Sequence, residues 1–394
     1  MDGDAFCFHF SRLLEGCINH DINGEVKVYV DDLCGCSALD VSENDQTLSS
    51  NVCTGLLGDN ALAEDKHEVG RRLDMIGWSF DLNLKTVSVS YNNHLKTVYC
   101  VFQFQRDGKY HLSAWQTVAA RASRYVAVCP HMKPFTAALH RMCSSFLDNT
   151  NIVKSITPEA WQDLQMWKTF LCLLLPFEST LARKLSSFQP EEATIRIEFD
   201  ASLTGAGIVI SKRDGSNTPW QTATHTGLIF PFSDLSKTDS SFQNSCEFIA
   251  VVVALYCLCR LDFTDVGYEL IGDSRTALSW CKRGSAKSPL AWKASIAFSL
   301  LCIYGNLRLQ TTTHVPGKEN VVCDGLSRGG NGADFHLPAH SVVPVALLDE
   351  IKQLLTLINP CFSQVQDLEA QYAICSFLQS KLKVIQPLRC VGKS

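Results

Sequence analysis

At Ile195 the sequence changes its period, and that change constrains the fold more than any other feature. "TIRIEFDAS" alternates apolar Ile195, Ile197 and Phe199 against Arg196, Glu198 and Asp200, the pattern of a strand with one buried face. "GAGIVIS" reads as a second strand after a glycine-containing turn, and "GLIFPF" as a third. A helix is expected from about Gln243 to Cys259. "VGYELIGD" is a fourth strand, "SRTALSWCKRG" and "SPLAWKASIAFSLLCIYG" are helical, "LRLQTTTHVP" is a fifth strand, and "VVCDGLSR" opens a last helix. Strands and helices in this order predict an α/β unit.

Four acids occupy positions in this unit where acids are unusual. Asp200 ends the first strand. Asp273 ends the fourth, followed by Ser274 as a plausible helix cap. Ligand sites in α/β sheets gather at such strand ends. Glu247 has Ala250, Val251, Ala254 and Leu258 on its own helical stripe, so it is expected on the buried face. A buried carboxylate without a partner is costly and should be paired or bind metal. Asp324 falls four residues after Asn320, which is placed to cap the last helix. Each acid alone also reads as a turn former, a helix-start residue or a dipole-complementing residue. Four convergent acids together describe a site for two divalent cations. Mg²⁺ suits it best, since Mg²⁺ takes oxygen ligands and keeps waters.

In this order, "FDASLTGAG", "NSCEFIAV", "LIGDSRTAL" and "HVPGKENVVCDGLSR" resemble the RNase H domain of retroelement reverse transcriptases, over roughly Ile195 to Arg328. The resemblance implies a mixed five-stranded sheet with flanking helices. It implies Asp200, Glu247, Asp273 and Asp324 as catalytic metal ligands for Mg²⁺, with Mn²⁺ as a substitute. It also implies an RNA–DNA hybrid as partner and hydrolysis of its RNA strand. Cellular RNase H enzymes carry a mobile histidine just after the "V-x-G" of the last loop; here Lys318 stands there and would contact phosphate. His314, before the loop, is expected to cap or pack.

The N-terminal half carries a second resemblance. "EVKVYVDDLCG" alternates into a hairpin over residues 25–39 with Asp31 and Asp32 at its tip, and "VYVDDL" resembles the metal-binding hairpin of reverse transcriptases. By that resemblance Asp31 and Asp32 are metal positions and Tyr29 lies near the primer end. "IGWSFDLNLKTVSVS" looks like the following primer-gripping β region. The helical "WQTVAARASRYVAVCPHMKPFTAALHRM" and "TPEAWQDLQMWKTFL" resemble the thumb and connection of tyrosine-recombinase (DIRS-like) or gypsy-like retrotransposons. Arg121, Arg124, Lys133 and Arg141 form a basic track that either follows a duplex backbone or is a solvated helix face. The expected organisation is a partial palm over 1–95, a helical thumb and connection over 96–190, the RNase H-like unit over 191–330 and a helical tail over 331–394. A second palm aspartate would lie upstream of this chain, so templated synthesis by the chain alone is not expected. A non-catalytic nucleic-acid-binding remnant, or a segment of a longer active polyprotein, remains the alternative.

Composition bounds these readings. With 394 residues the chain exceeds one small core, and 46% hydrophobic against 19% charged residues excludes a disordered chain. A net charge of −5 excludes a uniformly basic nucleic-acid binder, though not local basic tracks. The start "MDGDAFCFHF" lacks the pattern of a secretory signal, so the 18 cysteines are expected as reduced thiols and the protein as intracellular, cytoplasmic or nuclear. Cys129, His131, His140 and Cys143 cluster in "CPHMKPFTAALHRMC", but their spacing is irregular for a zinc knuckle. The run Phe248 to Cys259 is shorter than a membrane span requires, so none is expected.

Overall fold

The computed structural model describes residues 12, 14–29, 32–38, 40–58, 62, 69–75, 77–146, 152–174, 182–188, 191–215, 217–232, 239–284, 286, 288–360 and 368–382. The chain divides into two compact units, Met1–Asn83 and Leu84–Ser394.

In the first unit a helix through residues 14–21 (α1) precedes the antiparallel hairpin of β1 (Glu25–Tyr29) and β2 (Asp32–Cys36), in which Tyr29 pairs with Asp32. Asn19 ties helix to hairpin: its Nδ2 donates to the Val26 carbonyl at 3.0 Å, and its Oδ1 accepts from the Val26 amide at 2.7 Å. Leu14, Ile18, Val26 and Cys53 form the small core. Cys53 lies on α2 (Ser42–Leu57), a helix that the sequence reading left unassigned, and the unit ends with the hairpin of β3 (Arg72–Met75) and β4 (Trp78–Asp81).

The second unit opens with β5 (Thr86–Val89) and the helices α3 (Tyr91–Phe102), α4 (Leu112–Val128), α5 (Ala137–Ser144) and α6 (Pro158–Leu174). The short strands β6 (Lys109–His111), β7 (Val153–Ser155) and β8 (Ala182–Lys184) interrupt the purely helical region that the sequence suggested. Thr157 caps α6 as expected, its Oγ1 accepting from the Ala160 amide at 3.2 Å. Tyr125, Trp167 and Phe170 pack edge to face among these helices, Trp115 lies tilted against Phe104, and Trp167 Nε1 donates to the Phe135 carbonyl at 2.8 Å.

The expected α/β architecture follows: a mixed five-stranded sheet in the order β11-β10-β9-β12-β13. Its strands are β9 (Ile195–Ala201), β10 (Gly205–Lys212), β11 (Gln221–Ile229), β12 (Gly267–Gly272) and β13 (Arg308–His314). β10 runs antiparallel to β9 and β11, while β12 runs parallel to β9 and β13. The third strand begins well before the expected "GLIFPF". β11 is an edge strand, where the polar, largely β-branched "TATHT" serves, so hydrophobicity does not mark it.

Helices α7 (Ser240–Arg260) and α9 (Trp292–Gly305) are apolar nearly all round, and α7 packs on β9 and β10. By length and composition α7 would suffice to cross a membrane, which corrects the expectation of too short a run. Its residues from Ser245 to Leu258 are buried inside the fold. Between α7 and α9 lies α8 (Arg275–Arg283), capped by Ser274, whose Oγ accepts from the Ala277 amide at 3.2 Å.

The other face of the sheet carries the short helix α10 (Val321–Ser327) on a satellite core of Val209, Cys323 and Leu326. Glycine makes this approach possible. A side chain at Gly207 would strike the Cys323 carbonyl, and one at Gly227 would come within 2.7 Å of the Leu326 carbonyl. The tail then folds back on the unit. The Val343 amide donates to the His225 carbonyl of β11 at 3.1 Å, and His225 Nδ1 lies 2.9 Å from Ser341 Oγ. Helices α11 (Val345–Leu357) and α12 (Leu368–Lys381) pack on α7 and α9 respectively.

Candidate metal centre

Strand geometry places the acids. Asp200 is the penultimate residue of β9, opposite Gly207 of β10, so its side chain emerges on the face that α10 covers. Asp273 directly follows β12, and Glu247 projects from the second turn of α7. Asp200, Glu247 and Asp273 each offer a carboxylate oxygen, and these atoms lie within 4.8 Å of one another. Asp200 and Glu247 are buried, with 4% and 5% exposure, and Asp273 is half-buried. The burial of Glu247 is more general than a stripe would give, because α7 is enclosed on every side at this level.

The acids are short of donors. Glu247 Oε1 accepts from Gln243 Nε2 at 3.3 Å, and the same amide donates to the Ala201 carbonyl at 2.6 Å. Glu247 Oε2 is buried without a hydrogen bond among the described residues. Asp200 Oδ2 accepts from Ser327 Oγ at 2.9 Å. Burial pushes the Asp200 carboxyl up to about 6, with Asp273 and Asp324 adding to the rise and Ser327 opposing it. Burial, then Asp200 and Asp273, push Glu247 up to about 9.

Asp324 stands apart from the three. It lies on the first turn of α10, is half-buried, and its Oδ1 accepts from Arg328 Nε at 2.9 Å and Nη2 at 2.8 Å. Asn320 occupies the N-cap position of α10 but makes no side-chain cap. Its Nδ2 instead donates to the Phe199 carbonyl at 3.0 Å and lies 3.5 Å from Asp200 Oδ1. Sequence reading missed this brace, along with Ser327 and Gln243. Their signal was spacing alone: Asn320 and Gln243 each precede an acid by four residues, and Ser327 follows one by three.

The loop after β13 crosses close to the site, since a side chain at Gly317 would come within 3.0 Å of Asp273 Oδ2. Lys318 follows on this loop and is exposed. His314 corrects the expectation that it caps or packs. It ends β13, an edge strand, opposite Gly272 and is exposed.

The remaining candidates are placed as follows. Asp31 lies outside the described residues, as do the side chains of Tyr29 and Asp32 at the hairpin. Arg121 and Arg124 are half-buried on α4, and Arg124 Nη1 donates to Asn93 Oδ1 at 2.9 Å. Lys133 and Arg141 are exposed, on the 3₁₀ turn Pro130–Thr136 and on α5. In the cysteine–histidine cluster, burial pushes Cys129 up to about 12 and His131 down to about 4, while His140 Nε2 lies 3.0 Å from Ser123 Oγ.

No family model and no curated protein matches the chain. Solved structures do. The foamy viral protease-reverse transcriptase in complex with double-stranded DNA is 15% identical at a TM-score of 0.33, over 78% of this chain and 49% of that one. The viral protein in complex with an RNA/DNA hybrid is 15% identical at a TM-score of 0.32, over 78% of this chain and 38% of that one. An RNase H1 from the halophilic archaeon Halobacterium salinarum is 21% identical at a TM-score of 0.26, over 34% of this chain and 92% of that one. The chain spans about half the length of the first viral structure.

Proposed function

We propose that residues 195–328 form a divalent-metal-dependent nuclease of RNase H type that hydrolyses the RNA strand of RNA–DNA hybrids within a retroelement-derived protein. The observation that carries the proposal is the convergence of Asp200, Glu247 and Asp273 around a buried, unpartnered Glu247 oxygen. Three acids crowded at this range repel one another, and among the described residues none of them forms an ion pair with Lys or Arg. A divalent cation supplies the missing charge, and an all-oxygen donor set suits Mg²⁺ or Mn²⁺.

Bound there, two such ions would activate a water and stabilise the leaving oxygen of a phosphodiester. The chain's own residues do the holding. Asp200, Glu247 and Asp273 bind and set the position of the scissile phosphate. Gln243 fixes Glu247 by tying it to the Ala201 carbonyl. Both Arg328 bonds fall on Asp324 Oδ1, which leaves Oδ2 as the oxygen by which Asp324 would help to hold an ion. Lys318, on the exposed loop beside Asp273, is placed to meet a phosphate. Hybrid specificity would come from 2′-hydroxyls read across the minor groove. The Asp31–Asp32 pair is read as belonging to the metal-binding hairpin of a polymerase palm, with the DIRS-like or gypsy-like kinship resting on the quoted motifs.

The test is incubation of the chain with an end-labelled RNA–DNA hybrid in Mg²⁺ or Mn²⁺, beside single-stranded RNA and beside Asp273→Asn. Metal-dependent cleavage of the hybrid's RNA, absent in the variant, is expected. Equal cleavage by the variant, or none by the unaltered protein in either metal, would overturn the proposal.

A further inference from the structure

Ser327 stands at a choice between two acceptors. Its Oγ lies 2.9 Å from Asp200 Oδ2 and 2.9 Å from the Asp324 carbonyl, three residues back on α10. A serine hydroxyl has a single proton to give. Directed at Asp324, it makes a common local bond at a helix end and has no bearing on the site. Directed at Asp200, it is a charge-assisted bond to a candidate metal ligand.

We infer that the proton goes to Asp200, and that Ser327 is a positioning residue that orients the Asp200 carboxylate and leaves Oδ1 for a divalent cation. Ser327 and Asp200 are both buried, at 3% and 4% exposure, so water does not compete freely for either. Asp200 needs a donor more than the Asp324 carbonyl does. That carbonyl is a neutral acceptor midway along a seven-residue helix, whereas Asp200 is a carboxyl group beside two others. Among the described residues no second side-chain donor comes as close to Asp200. Asn320 Nδ2 gives one of its protons to the Phe199 carbonyl at 3.0 Å and reaches Oδ1 with the other only at 3.5 Å. The asymmetry fixes the outcome: Oδ2 is held and Oδ1 is left nearly bare.

The approach that brings Ser327 to Asp200 is built into the sheet. Gly205, beside it on β10, could carry no side chain without coming within 2.7 Å of the Ser327 carbonyl. Ser202 Oγ donates to that same carbonyl at 2.9 Å, pinning the end of α10 over β9. Serine at this position therefore joins the helix to the metal strand from both its side chain and its backbone. Hydrogen-bonded ligating carboxylates are a general feature of metal sites, and loss of such a partner weakens metal binding.

This inference rests on the metal-centre reading, and its test separates the two. Mn²⁺ affinity is measured by titration calorimetry on the unaltered chain, Ser327→Ala and Ser327→Thr, with a thermal melt of each in EDTA. Ser327→Ala is expected to bind Mn²⁺ on the order of tenfold more weakly, and Ser327→Thr, which keeps the hydroxyl, to bind as the unaltered chain does. Equal affinity in folded Ser327→Ala overturns the role of Ser327 alone, as does a tenfold loss in folded Ser327→Thr. If Ser327→Ala does not fold, the Thr variant decides by the same criterion. Failure of the unaltered chain to bind Mn²⁺ overturns the metal centre itself. Mn²⁺ binding without hybrid cleavage overturns the proposed reaction and leaves the Ser327 assignment standing on its own measurement.

Discussion

At one end of β12 stands Asp265, and at the other stands Asp273. Asp265 receives Lys184 Nζ at 2.5 Å, Arg308 Nη1 at 2.6 Å and Asn306 Nδ2 at 2.8 Å. Burial pushes its carboxyl up, but the bonds from Lys184 and Arg308 outweigh burial and hold it below the usual range. Asp273 instead shares its surroundings with two further acids, one of them carrying a buried oxygen with no hydrogen-bond partner among the described residues. The same fold thus surrounds one aspartate with cations and, among the described residues, leaves a group of three without an ion pair. The fold can supply cations to a carboxylate where stability is at stake, as the Asp265 clasp demonstrates. Leaving them out at the other end of the strand marks a place kept for something else.

The comparison breaks first on activity. Asp273→Asn should lower metal-dependent hybrid cleavage on the order of a thousandfold, about 4 kcal/mol in the barrier. Asp265→Asn should leave the rate per folded molecule unchanged. A comparable loss in both variants would mean that the two ends are not different in kind.

Stability should move the opposite way. Glu247→Gln removes a carboxyl that burial and the neighbouring acids hold protonated in the fold but that ionises when the chain unfolds, so in EDTA at neutral pH it should gain about 2 kcal/mol in urea unfolding. Mn²⁺ should then stabilise the unaltered chain and not the variant. A destabilised Glu247→Gln would contradict the picture of an unsatisfied site.

A third acid sharpens the contrast. Asp163 of α6 accepts from the Ala138 amide at 2.9 Å, and burial pushes its carboxyl up to about 7 against the opposing effects of that bond and of Arg141. A raised folded-state value means that its contribution is present in full below about pH 4 and is lost as pH rises through about 7. Asp163→Asn should flatten the stability–pH curve across that window by on the order of 1 kcal/mol, as read by urea melts at pH 4, 5.5, 7 and 8. An unchanged slope would remove Asp163 from the account. Asp265→Asn should cost least, below about 1 kcal/mol, and less again in high salt, because its clasp is partly exposed.

How much of this could be read from the sequence depended on whether a residue acts along its own element or across to another. β9 announced itself by alternation, and the Ser274 cap by its place before a helix, because both are local patterns. The three clustered acids were legible because strand ends and a buried helix position are themselves local facts. Asn320 was read as a cap by position, yet its side chain reaches across to Phe199, and no one-dimensional pattern distinguishes the two. "GAGIVIS" reads as a strand, but that Gly207 within it serves the close seat of α10 becomes visible only when the helix is in place. Arg328 sits four residues from Asp324, a spacing whose pairing was legible but was not drawn.

The tail after Arg328 has a practical consequence. An unpaired strand edge is a template for intermolecular pairing, and segment 331–345 lies along the outer side of β11 while α11 and α12 cover α7 and α9. A fragment trimmed to the span of the four acids would keep every candidate ligand and still bare an edge strand and two greasy helices. It would be expected to clump in a test tube for reasons unrelated to chemistry. The smallest piece worth transplanting or expressing alone therefore runs through Lys381, well beyond the last acid.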